Sequence, residues 1–164
     1  MGDREHRRET DIATGAISPQ KLYGTPVGLM FFEGAPRLLE ADVTIPHIRQ
    51  GDPDRIAIEA YPGVLARSLI GRRSYKNDAK KKQTAEQAVA RCEILRSLKS
   101  SEVASRLGFH ISADPDLAED PGGDHLDALL CAVQSAWSWT HRHAGYGAGD
   151  SPDPLEGWIA NPAV

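Results

Sequence analysis

No run of apolar residues in this 164-residue chain approaches the roughly 20 that a membrane-crossing helix needs. The opening residues, MGDREHRRETD, hold no hydrophobic core of the kind a secretion signal carries, so a cytoplasmic protein is expected. Cysteine is scarce. Cys92 and Cys131 both fall in helical patterns without metal-ligand spacing, which excludes a disulfide framework and reads each as a small buried hydrophobe. Nucleophile elbow, P-loop and dinucleotide fingerprint are all lacking, as are internal repeats and low-complexity blocks. Strand signals are few as well, only two or three weak ones, which is little for a free-standing α/β domain.

What is present describes a globular protein. Hydrophobic residues make up 40% and charged residues 26%, and the length suits one core of ordinary size. A formal charge of −4 does not announce a nucleic-acid binder, but local charge matters more than the total. Residues 1–16 mix both signs with little apolar content and read as a solvated helix or a ragged, mobile end, leaving 17–164 as a single domain.

Helix punctuation organises much of the rest. Thr25-Pro26 opens a helical stretch, PVGLMFFEGAPRLLEA, that Gly34 and Pro36 should bend or split. Residues 50–54 read as a turn, and Arg55 to Ala60 as a short strand covered on both faces, because Ile56, Ala57 and Ile58 are apolar in a row. Pro62-Gly63 starts a helix closed by Gly71. Thr84 with Gln87 forms a capping-box signature for a helix over 84–99, and Leu107-Gly108 ends a shorter one. Phe109 to Ile111 is a weak strand candidate, and Asp114-Pro115 caps a single turn. The longest helix runs from Asp124 to about Trp139, and a Gly/Pro-rich tail leads to an edge strand at Glu156 to Ala160. Strands alternating with helices indicate an α/β protein, helix-rich, with a partly parallel sheet.

The residues with chemical potential are carboxylates and cations. Asp124 and Asp127, three apart at a helix start, share one face about a turn apart. Asp at the N-cap followed by an acid in the first turn also finishes a helix end, so capping and metal ligation both remain open. Glu59, at the carboxyl end of a strand, sits where ligands bind in open α/β sheets, or else pairs with Arg67 or Arg72. Three such carboxylates supply hard oxygen ligands of the kind Mg²⁺ or Mn²⁺ prefers, and would repel one another without a cation.

Between residues 67 and 82 the cations Arg67, Arg72, Arg73, Lys76, Lys80, Lys81 and Lys82 face Asp78 alone. Such a loop meets phosphates with salt-sensitive affinity, or is a solvated surface. Tyr75 offers one ring for stacking on a base. The histidines carry less: His141 and His143 splay about 200 degrees apart on a helix, and His125 points about 100 degrees off the face of Asp124.

Taken in order, Glu59-Ala60-Tyr61-Pro62, Tyr75-Lys76, Asp124-x-x-Asp127-Ala128-Leu129 and Glu156-Gly157-Trp158-Ile159 resemble the predicted nucleases of RNase H-like fold called domain of unknown function 429, from about Ser18 onward. The resemblance implies an antiparallel three-strand meander followed by parallel strands and flanking helices. It also implies a cluster of carboxylates from the first strand, the fourth strand and the last helix. Glu59 matches the fourth-strand position, and Asp124 and Asp127 match the last helix. The first-strand Asp, within Gly-x-Asp-Gly, has no counterpart, so a partial fold is expected, corresponding to the C-terminal part of a family member and lacking one metal ligand.

The activity so implied is two-metal phosphodiester hydrolysis, with Glu59, Asp124 and Asp127 holding Mg²⁺ or Mn²⁺ and Arg72, Arg73 and Lys76 holding the substrate backbone. The missing Asp opens two alternatives. One is a non-catalytic module that binds nucleic acid through its basic loop, or a partner or second copy through an exposed sheet edge. The other is a truncated fragment without a stable function of its own.

Overall fold

The computed structural model describes residues 5–24, 26–150 and 152–162. Residues 1–4 of the charged N-terminal segment and the Thr25 cap lie outside the described residues. Two compact units are present: Met1–Glu59 with Arg142–Ala160, and Ala60–His141 with Asn161–Val164. The architecture is mixed α/β and helix-rich, and the sheet has two parallel strands.

In the first unit, the segment read as solvated forms α1 (Glu9–Thr14), ended by Gly15 in the left-handed conformation. It is not fully solvated: Asp11 is completely buried, because its carboxylate accepts the Arg8 backbone N–H at 2.9 Å and two guanidinium N–H groups of Arg8 at 2.7 and 3.1 Å. Next comes α2 (Val27–Glu40), which carries Pro36 in its interior without being split and buries none of its residues.

The strands are β1 (Val43–Thr44) and β2 (Asp52–Ile56), paired in parallel with an irregular register, Val43 opposite Asp52 and Thr44 opposite Ile56. This moves the expected strand toward the N-terminus. The Asp-Pro-Asp stretch read as a turn is itself extended, because Asp52 N–H donates to the Asp42 carbonyl at 2.7 Å and Thr44 Oγ1 donates to the Asp52 carbonyl at 3.0 Å. The strand is not covered on both faces, since Pro53, Asp54 and Arg55 are exposed. Glu59 therefore lies in irregular chain beyond β2. Residues 156–160 form no strand either: an isolated bridge joins Asp153 to Gly157, and Ala160 N–H donates to the Glu59 carbonyl at 2.9 Å.

The second unit is helical, and its elements follow the sequence closely. It contains α3 (Pro62–Ile70), α4 (Ala85–Leu98), α5 (Ser101–Leu107) and α6 (Asp124–Thr140). Pro62 is the first residue of α3, Gly71 (φ 70°) ends it, and Gly108 (φ 82°) ends α5. The capping box on α4 forms in full, with Gln87 N–H donating to Thr84 Oγ1 at 3.3 Å and Thr84 N–H to Gln87 Oε1 at 3.2 Å. A single 3-10 turn, Pro115–Ala118, is capped by Asp114. Leu65, Ile94, Leu98, Leu126 and Leu130 form the fully buried centre of this unit, drawn from α3, α4 and α6. Phe109 and Ile111 pack on this core as irregular chain rather than as a strand. Cys92 is exposed and Cys131 half-buried, so neither is the buried hydrophobe expected; burial, then the Asp127 charge, pushes the Cys131 thiol up.

Candidate functional site

At the start of α6 the pair Asp124 and Asp127 divides its work. Asp124 is exposed in the first helical turn, and the N-cap position belongs to Gly123, whose φ of 78° is left-handed. The capping carboxylate is Asp120, which accepts the Gly122 N–H at 3.0 Å and the Asp124 N–H at 2.7 Å. Desolvation, the largest single cause, raises its pKa, but the amide hydrogen bonds from Gly122, Asp124 and His125 together outweigh it and hold the carboxyl below the usual aspartate range. The expected cap at Asp124 is thus shifted to an acid upstream, because a left-handed glycine folds the preceding chain back over the helix end.

That shift frees Asp127 for the loop. Its Oδ1 accepts the Tyr75 hydroxyl at 2.7 Å, and its Oδ2 pairs with the Lys76 ammonium. Gly123 is required for this as well, since a Cβ there would come within 2.8 Å of Lys76 Cδ and 2.9 Å of Lys76 Cβ. Tyr75 is buried, and burial, then its hydrogen bond to Asp127, pushes its phenol well above the usual tyrosine range. It is not an open platform for a base, because its ring belongs to the core.

The loop from Ser74 to Asn77 is tethered to its neighbours. Gln87 Nε2 donates to Ser74 Oγ at 3.0 Å and to the Lys76 carbonyl at 3.2 Å, while Arg91 donates to the Tyr75 and Ala118 carbonyls at 2.9 and 2.8 Å. Asn77 N–H donates to the Pro121 carbonyl at 3.2 Å. Sequence reasoning missed Gln87 and Arg91 as positioning residues. Their signal was available: both are polar at positions of α4 that continue its buried face through Ala90, Ile94 and Leu98.

The remaining loop cations differ in how they are engaged. Arg73 pairs with Glu93 at 2.8 Å and donates to the Ile70 carbonyl. Arg72 is exposed, and so are Lys80, Lys81 and Lys82, which form one 3-10 turn. Among the histidines, His125 is exposed, and His141 stacks on Trp137 with ring centroids 4.5 Å apart.

Glu59 belongs to the first unit, whereas Asp124 and Asp127 belong to the second. Its partner is Arg8, not Arg67 or Arg72: the guanidinium grips both oxygens at 2.6 and 2.7 Å. Arg8 also donates to the Glu156 carbonyl at 3.0 Å, so with its bonds to Asp11 all five guanidinium N–H groups are engaged. Among the described residues no group of three or more His, Cys, Asp or Glu is placed to hold a metal ion, and no helix is long and apolar enough to cross a membrane. In comparisons with family models, curated proteins and solved structures, nothing matches the chain.

Proposed function

We propose that this chain is a non-catalytic module that holds the phosphate backbone of a nucleic acid through residues 72–82 of its second unit. The observation that carries the reading is the exposed charge there: Arg72, Lys80, Lys81 and Lys82 reach solvent, and within residues 72–82 the one acid is Asp78. Those cations neutralise phosphates without reading sequence. The tethers from Gln87 and Arg91 hold Ser74 to Lys76, the stretch between Arg72 and the lysine turn. Titration of a fluorescent oligonucleotide at low salt, with the chain and with Lys80→Ala/Lys81→Ala/Lys82→Ala, tests this: the triple variant binds at least about tenfold more weakly. Equal affinity contradicts it.

A second reading, metal-dependent phosphodiester hydrolysis, follows from the resemblance to the RNase H-like nucleases. It has Glu59, Asp124 and Asp127 as ligands of Mg²⁺ or Mn²⁺ and Arg72, Arg73 and Lys76 on the substrate. One observation favours it: Asp127 is held in a fixed orientation by Tyr75 and Lys76 rather than used up in capping. The donor set does not fit a divalent cation as it stands, because both Asp127 oxygens already accept hydrogen bonds and an ammonium supplies the positive charge. A Mn²⁺ titration of thermal unfolding decides between the readings. A rise in Tm that disappears in Asp127→Ala establishes the metal site; no rise in a cooperatively melting protein removes it.

A further inference from the structure

Successive α2 residues are 100 degrees apart around the axis, so Phe31, Phe32, Ala35, Leu38 and Leu39 fall within about 120 degrees, while Glu33, Arg37 and Glu40 lie on the other side. Such an apolar stripe is normally packed, yet none of these residues is buried. A cavity of about 560 Å³ opens beneath part of the stripe, lined by Phe31, Leu38 and Leu39 and by Ile48, Leu155 and Trp158. Phe32 does not line that cavity and is 72% exposed. A small ligand filling the cavity would leave Phe32 in water, whereas a second helix laid along the stripe would cover it.

The pattern of the stripe selects the second helix. About an antiparallel two-fold axis through Ala35, Phe31 faces Leu39 and Phe32 faces Leu38 of the other copy, with the small Ala35 at the crossing. The area is of the right order: Phe31, Phe32, Leu38, Leu39, Ile48 and Leu155 expose 44 to 92%. At roughly 150–200 Å² for a large side chain they offer on the order of 600 Å², against about 800 Å² from each partner of a stable interface. A membrane surface fits less well, because the polar side of α2 carries two acids and one Arg rather than a row of cations.

We propose that α2 is a self-association surface, which pairs antiparallel with α2 of a second copy of this chain in an isologous dimer. This surface is distinct from the sheet edge suggested by the sequence, and it does not depend on the phosphate-binding reading.

Sedimentation equilibrium of the full chain over a range of concentrations tests the proposal. The expected mass is twice the 17.8 kDa of one chain, and Phe32→Glu/Leu39→Glu raises the dimer Kd at least about tenfold. Position-specific oxidation in a Cys92→Ser background gives a second readout that does not depend on the charged variant folding. Ala35→Cys, on the two-fold axis, forms a disulfide-linked dimer, whereas Glu33→Cys, on the polar side, does not. Three results overturn the proposal. They are a monomer at every concentration, equal cross-linking from both positions, and a monomer whose cavity takes up an apolar dye, which would give the cavity to a small ligand.

Discussion

Asp127 is the residue at which the two readings of the carboxylate pair separate, and Tyr75 reports on it. The phenol is raised first by burial and then by its bond to Asp127. The folded chain therefore holds this proton more tightly than the unfolded chain does. The resulting stability is fully present below the ordinary tyrosine value of about 10 and declines as pH climbs above it. Tyr75→Phe is expected to make that alkaline decline shallower, measured as denaturant midpoints across the alkaline range, with the raised Cys131 thiol supplying part of what remains; an unchanged decline would assign it wholly to other groups. Asp120 has the opposite sign. Its carboxyl is held below the usual range, so its contribution is present above the ordinary aspartate value of about 3.9 and is lost as pH falls through the folded value. Asp120→Asn should flatten that acid limb. The three-residue spacing of Asp124 and Asp127 made their shared helix legible in the sequence. The capping role of Asp120 was not legible, because it depends on the left-handed backbone at Gly123, and a second glycine beside it leaves that choice unspecified.

At the scale of the element, α4 shows why one polar residue on a buried face carries two functions. The amide of Gln87 accepts from Thr84 at the helix start and donates to Ser74 and Lys76 in the basic loop. Thr84→Ala should cost about 1 kcal/mol, the usual loss for a helix cap, with nucleic-acid affinity retained. Gln87→Glu keeps the acceptor for Thr84 but loses both donors, so the helix start should hold while the loop loosens. Urea unfolding and hydrogen exchange at Ser74 to Asn77 read these effects separately. Exchange at the loop that does not change in Gln87→Glu would show that Arg91 and Asn77 suffice to hold it. The capping box, the Pro62 start and the Gly71 and Gly108 ends were all readable, because each rests on local backbone chemistry. Strand β2 was misplaced for the same reason in reverse: Asp-Pro-Asp has turn chemistry, and its extension depends on Asp42 and Thr44, which local patterns do not reveal.

For the whole molecule, two compact units are present, each with its own use of charge. In the first, Arg8 spends every donor on Asp11, Glu59 and Glu156, which makes Glu59 a structural anchor there. In the second, Tyr75 and Lys76 engage Asp127, and Arg72 and Lys80 to Lys82 face solvent. The helices of the second unit were legible from their caps and periodicity. The Arg8 tie to Glu59 could not be read, because the partners are 51 positions apart and no local pattern joins them. The phosphate-binding account is tested most directly by the dependence of oligonucleotide affinity on salt, for the chain and for Lys80→Ala/Lys81→Ala/Lys82→Ala. It predicts that log K falls linearly with log salt and that the triple variant has a slope shallower by about 2 to 3. A slope near zero for the chain itself, or identical slopes for the two proteins, would contradict it.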